Sequence, residues 1–341
     1  MTSRSSFPFG RIPSGDDERH SHGIYMIRSI HTLRARTRVR HLGNRAFEWL
    51  WAHERDFRIS HHANRALVWE IKPLVELIFL LSTLKRHGIQ NQILDRLAAR
   101  AIDEASTFDW HELAAFDPSA ATALALVADL FSSYGRPLPF DDRFFSMLND
   151  IGYFEGMDRL PYREMDLAHS LGRMGFPDCE KSLPKWFSST AFGREQQITR
   201  YTVDDVYSLT HAIFYLTDMG MRPLDRFLAP PEVARVKAVV STLSAVMLRG
   251  DNVDVLGELI LCWLFCRIES SRLNDLILKQ ALRRVLAFTT RNGAVAPTLK
   301  ACQMSKSGEA SFAQLYHTTL VGALLYSLLS QKYPYANQLV S

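Results

Sequence analysis

Cysteine is scarce in this sequence. Four occur in 341 residues, and two of them, Cys262 and Cys266, lie one helical turn apart in a single apolar segment. That is no disulfide framework, and it fits a reducing compartment. Glycine (17) and proline (14) are not enriched, which excludes collagen-like and low-complexity classes. Long apolar runs are missing as well: "LVELIFLLSTL" at 74–84 is too short to span a bilayer and carries Glu76. The first 25 residues have no apolar signal-peptide region, so the expected location is cytoplasmic, away from membranes. Convincing alternation of apolar and polar residues is absent, which argues against sheet. No Walker loop, G-x-G-x-x-G after a strand, G-x-S-x-G or kinase motif set occurs.

What is present is unevenly charged. The net charge is +4, yet residues 1–45 carry nine Arg and no Lys against Asp16, Asp17 and Glu18, which leaves the remainder slightly acidic. An arginine cluster such as "HTLRARTRVR" (31–40) can hold phosphate or nucleic acid, but it reads more readily as a solvated helix face or flexible arm. The main body has no basic surplus, which argues against nucleic acid as the partner of the whole protein. Residues 1–22 are polar and broken by Pro and Gly, and are expected to form a disordered arm. Residues 23–341 are expected to form one domain, with 23–57 its basic helical start.

From there on, the apolar patterns have helical spacing. Helices are expected near 24–57, 64–87, 90–106, 118–134, 141–152, 162–175, 203–219, 229–248, 251–269, 272–291 and 312–331. Gly- and Pro-containing breaks fall at 87–88, 134–139, 175–178, 219–224 and 291–293. Six of these helices, 64–87, 118–134, 162–175, 203–219, 251–269 and 312–331, are apolar on all sides and so expected to be buried on all sides. The others are amphipathic. Alternation of the two kinds is the mark of helical-hairpin repeats. The expected fold is all-α, with six inner helices closing into an α/α toroid, and an open α-solenoid as the alternative.

A polar residue recurs at one place on the inner helices. Leu-x-[His/Glu] occurs as "LAH" ending at His169, "LTH" at His211, "LGE" at Glu258, "LYH" at His317 and "LVE" at Glu76. The helix at 118–134 has no clean counterpart, although Asp129 is near the slot. A ring would aim these groups at a common axis, and burying that many ionisable residues is costly unless they are paired, hydrated or metal-bound. Asp254 lies four residues before Glu258 and shares its face, while Tyr207 and Asp218 flank His211 at i−4 and i+7 as candidate orienters. Asp204 and Asp205 read as helix-start acids.

Three uses of such a ring follow from the residue types. His169, His211, Glu258 and His317 could hold zinc or non-haem iron, although no local H-E-x-x-H or C-x-x-C signature accompanies them. His211 with Glu258 or Asp254, aided by His317, His169, Tyr207 and Asp218, could move protons near neutral pH; Cys262 or Cys179 as nucleophile is a weaker variant. The groups could also form a structural network, or line a cavity that binds a peptide-like or small-molecule ligand without reaction.

"YSLTHAIFYLTDMG" (207–220), "VDVLGELILCW" (253–263) and "QLYHTTLVGALL" (314–325) resemble an uncharacterised actinobacterial family of all-helical proteins encoded near genes for natural-product assembly. The resemblance covers most of 40–330. It implies a tailoring role in specialised metabolism but no particular chemistry. Joined to the acid/base residues of the ring, the expected function is cyclisation, elimination or hydrolysis of a peptide-like or small-molecule intermediate, with a non-catalytic binding protein for a biosynthetic peptide or intermediate as the alternative.

Overall fold

The computed structural model describes residues 36–59, 68–153, 156–194 and 197–332. The expected arm at 1–22 and the first part of the basic segment lie outside these residues. Within them the chain is helical throughout, with no strand and a single isolated bridge between Thr289 and Val295. The all-α expectation holds.

Fourteen α-helices are described: α1 (36–52), α2 (Val68–Arg86), α3 (Gln92–Ser106), α4 (Trp110–Phe116), α5 (Ala121–Ser133), α6 (Asp142–Asp150), α7 (Pro161–Arg173), α8 (Leu183–Ser189), α9 (Val203–Leu216), α10 (Pro230–Met247), α11 (Val253–Phe265), α12 (Arg272–Ala287), α13 (Leu299–Ser307) and α14 (Phe312–Gln331). The six expected inner helices are α2, α5, α7, α9, α11 and α14. They pack in that order, each against the next, and α14 packs back against α2. The packing order is therefore cyclic. In α11 every residue but Asp254 is buried, as an all-round apolar helix requires.

The amphipathic helices lie outside. α3 packs on α2 and α5, α10 and α12 pack on α11 and on each other, and α8 covers α7 and α9. One hydrophobic core joins inner and outer helices from Val39 to Leu329. Helix starts use ordinary capping chemistry: Asn91, Asp109, Ser271 and Thr298 each accept a hydrogen bond from the first turn of the helix that follows. Asp205 forms a capping box with Thr202, the local role its position suggested.

Three short helices, α4, α8 and α13, were not expected. Each has seven or nine residues, too few turns for a periodic signal. Tertiary contacts hold them instead. Trp110 of α4 is fully buried and its indole N–H donates to the Ala105 carbonyl at 2.7 Å.

The breaks fall where expected, and two of their glycines carry a further constraint. Gly220 (φ +86°) sits against the Phe265 ring, and Gly293 (φ +99°) lies directly against the backbone carbonyl of Arg45 in α1. A Cβ at Gly293 would meet backbone that cannot swing aside, in a left-handed conformation that L-residues avoid. Gly293→Ala is expected to cost at least about 2 kcal/mol and to lower the thermal unfolding midpoint by several degrees, about the size of a core defect. Calorimetry of the purified variant measures this.

Candidate functional site

The inner helices all point the same way around the ring. Residues in the first halves of α2, α9, α11 and α14 meet one another, and residues at the last turns of α2, α5 and α7 meet just past the end of α9. Two polar clusters result, one at each end.

At the N-terminal end, His317 of α14 stands at the centre. Its Nδ1 bonds Glu76 Oε2 of α2 at 3.1 Å. Its Nε2 lies 3.2 Å from the Tyr207 hydroxyl, 3.5 Å from Asp254 Oδ2 and 3.7 Å from Glu258 Oε1. Glu258 is only 2% exposed, and its Oε2 accepts a 2.6 Å hydrogen bond from the Thr210 hydroxyl. Asp254 Oδ1 accepts one from the Thr318 hydroxyl at 2.8 Å. The His211 ring packs against Tyr207 at a tilt of 32°, ring centres 4.2 Å apart. Its Nδ1 bonds the Tyr207 carbonyl at 2.9 Å and lies 3.8 Å from Glu258 Oε2.

The electrostatics follow from this crowding. Burial opposes the His317 charge, but Asp254, Glu258 and Glu76 outweigh it and raise its pKa well above the ordinary value. Burial also raises Glu76, yet the hydrogen bond and charge of His317 prevail and hold it below the usual carboxylate range. Asp254 moves the other way: burial, with repulsion from Glu258 and Glu76, pushes it up despite His317. Tyr207, buried beside Glu258, Asp254 and Glu76, is pushed up and stays a neutral hydroxyl.

At the C-terminal end, Asp218 is the hub. Its Oδ1 accepts from His169 Nε2 at 2.9 Å and from Arg173 at 3.2 Å, its Oδ2 pairs with Arg86, and Arg222 Nε lies 3.6 Å away. Arg173 also pairs with Asp129, and Arg222 with Glu180 at 2.7 Å. Burial would raise Asp218, but the His169 hydrogen bond and the charges of His169, Arg86 and Arg222 bring it down to about 2.

A family model described as "Domain of unknown function (DUF6895)" matches residues 43–327. The chain belongs to this family. No curated protein and no solved structure matches it. The DUF6895 match spans all six inner helices as far as Ser327 of α14, and so both clusters.

The structure brings together five of the expected residues: Tyr207, His211, Asp254, Glu258 and His317, with Glu76 beside them. It does not bring His169 to them. His169 is 1% exposed and belongs to the opposite end. The four-residue metal set His169, His211, Glu258 and His317 is therefore not assembled. The reason is axial placement. The His211 ring lies 5.9 Å from Tyr162, at the start of α7, while the His169 ring lies 5.5 Å from Tyr215, one turn beyond His211. Helix α7 is seated about one turn deeper than α9. Asp218 likewise orients His169 and the arginines rather than His211. Asp129, near the repeated slot in sequence, serves the same end.

Cys262 is fully buried, with its thiol on the Thr210 carbonyl at 3.6 Å and its pKa pushed well up by burial, so it is no nucleophile. Cys179 lies in the 3₁₀ turn Pro177–Ser182, outside the histidine cluster. Several site residues escaped the sequence pattern. Thr210 and Thr318 are each adjacent to a site histidine, and Asp166 occupies the α7 position facing His211, where Tyr215 hydrogen-bonds it. Arg86 and Arg173, in the last turns of α2 and α7, carry no motif that marks them.

The C-terminal hub makes a prediction of its own. Asp218→Asn leaves Arg86, Arg173 and Arg222 without their shared carboxylate, and should cost about 3 kcal/mol or more. Because the folded Asp218 pKa is depressed, its contribution is fully present above pH about 4 and is lost as pH falls toward 2. Urea titrations across this window should show about 2 kcal/mol of that acid-side loss missing in Asp218→Asn.

Proposed function

We propose that the N-terminal mouth of the ring catalyses a proton-transfer step on a small-molecule or peptide-like intermediate, with His211 as the base. One observation carries this reading. A backbone carbonyl only accepts, so His211 Nδ1 must carry the hydrogen that binds the Tyr207 carbonyl. Nε2 is then the basic lone pair, and it has no hydrogen-bond partner among the described residues. A half-buried imidazole with one nitrogen tied to its own helix and the other free is set up to take a proton.

The surroundings support the same reading. Tyr207, Tyr162, Phe214 and Tyr215 wall the His211 ring, which limits water around the basic nitrogen. Across from it stands the cluster of Glu76, Asp254, Glu258 and His317, which can return a proton or hold a cationic part of the substrate. Cyclisation, elimination and hydrolysis each need one proton removed and one delivered, and the two sides of the mouth provide for that. The resemblance to natural-product proteins suggests specialised metabolism as the setting. Among the described residues no helix is long and apolar enough to cross a membrane.

The test compares wild type with His211→Gln. Each is incubated with small-molecule extract of the native host, and products are followed by untargeted mass spectrometry. A mass feature consumed by wild type should be consumed about 10²–10⁴-fold more slowly by His211→Gln, with thermal unfolding unchanged. Equal turnover by a folded His211→Gln refutes the assignment. Capture of a ligand by wild type without conversion places the protein among binding proteins instead.

A further inference from the structure

The geometry points to a divalent transition-metal site formed by Asp254, Glu258 and His317, with Glu76 holding the histidine from behind. One atom of each of the three residues lies within 4.8 Å of the others. The two measured edges, 3.5 Å from His317 Nε2 to Asp254 Oδ2 and 3.7 Å to Glu258 Oε1, are close to the edge of a tetrahedron with bonds of about 2.0–2.2 Å, roughly 3.3–3.6 Å.

Proximity alone would make this an acidic patch. What makes it a built site is how the atoms turned away from its centre are occupied. Asp254 Oδ1 is held by the Thr318 hydroxyl and Glu258 Oε2 by the Thr210 hydroxyl. His317 Nδ1 is held by Glu76 Oε2, the carboxylate–histidine arrangement that fixes ring orientation and tautomer in metal sites. Oδ2, Oε1 and Nε2 are the atoms that face one another, with the Tyr207 hydroxyl also on Nε2. Glu258 Oε1 faces His317 Nε2 at 3.7 Å, in a side chain that is almost completely buried.

The donor set is two carboxylate oxygens and one imidazole nitrogen, without thiolate. That suits Zn²⁺, Fe²⁺ or Mn²⁺ and is too small a set for Ca²⁺. Three protein ligands leave a position for water or substrate, as catalytic sites do. The Tyr207 hydroxyl, now 3.2 Å from Nε2, is the contact that metal entry replaces, and it remains next to the open position together with His211. This inference does not rest on the role given to His211, because it concerns binding and not turnover.

The test is calorimetric titration of the metal-stripped full-length protein with Zn²⁺, and in parallel with Mn²⁺. Wild type should bind one equivalent of at least one of them. Asp254→Asn, Glu258→Gln and His317→Gln, each of which keeps the size of the side chain, should each weaken that binding at least tenfold. Glu76→Gln should keep the one-to-one stoichiometry and weaken binding about 10–100-fold. His111→Gln, at a histidine remote from the cluster, should change nothing. Thermal unfolding without metal identifies any variant that fails to fold, and Asp254→Ala, Glu258→Ala or His317→Ala then replaces it. No stoichiometric uptake of either ion overturns the proposal, and so does any of the three ligand variants that binds within tenfold of wild type. Loss of turnover in His211→Gln with metal binding intact would leave both readings standing, so the two fail separately.

Discussion

Six buried helices running in one direction around a ring impose a polarity on everything else. Their N-termini gather at one mouth and their C-termini at the other, so the helix dipoles add to a field that favours anions at the first and cations at the second. The residues obey it. Asp254 lies in the first turn of α11, and Arg86 and Arg173 lie in the last turns of α2 and α7. Carboxylates around histidines fill the N-terminal mouth, and arginines around Asp218 fill the other. An antiparallel bundle would have mixed the two sets and cancelled the field.

This polarity also explains why so many ionisable groups tolerate a largely apolar surround. At the C-terminal end, Asp218, Asp129 and Glu180 are matched by Arg86, Arg173 and Arg222, so the network is near neutrality and acts as a clamp between helices. At the N-terminal end, three carboxylates surround His317 and raise its pKa, and the exposed Lys72 adds a second cation beside Glu76 at 3.7 Å. That imbalance is expensive for folding alone. It is understandable where a site is meant to receive something positively charged or to exchange protons. The charge-matched clamp suits a stabilising role, and the unmatched mouth is where the proposed function lies.

Much of this was legible in the sequence, and the reason is periodicity. Helices apolar on every side must be buried, amphipathic ones must lie outside, and the alternation of the two gave the six inner helices correctly. The repeated Leu-x-[His/Glu] slot brought Glu76, His211, Glu258 and His317 together because a recurring position on a recurring helix faces a common axis. His169 shows the limit. It has the same motif on the same kind of helix, yet it sits at the opposite end of the ring. A motif determines which face of a helix carries a side chain, but not how far along the axis the helix is seated. The packing of α7 against α5 and α9 settles that depth.

The sequence by itself therefore determined the helical class, the division into inner and outer helices, the breaks between them and the residue types that line the axis. These are local properties: hydrophobic period, capping chemistry and turn residues act within a few positions of the chain. Only the tertiary structure decided that the lining divides into two clusters, that Asp218 serves His169 and the arginines, and that Thr210 and Thr318 turn one oxygen of Glu258 and Asp254 toward His317. Those facts depend on the axial offset of neighbouring helices, which arises from side-chain packing between segments far apart in the chain, 241 residues in the contact of His317 with Glu76.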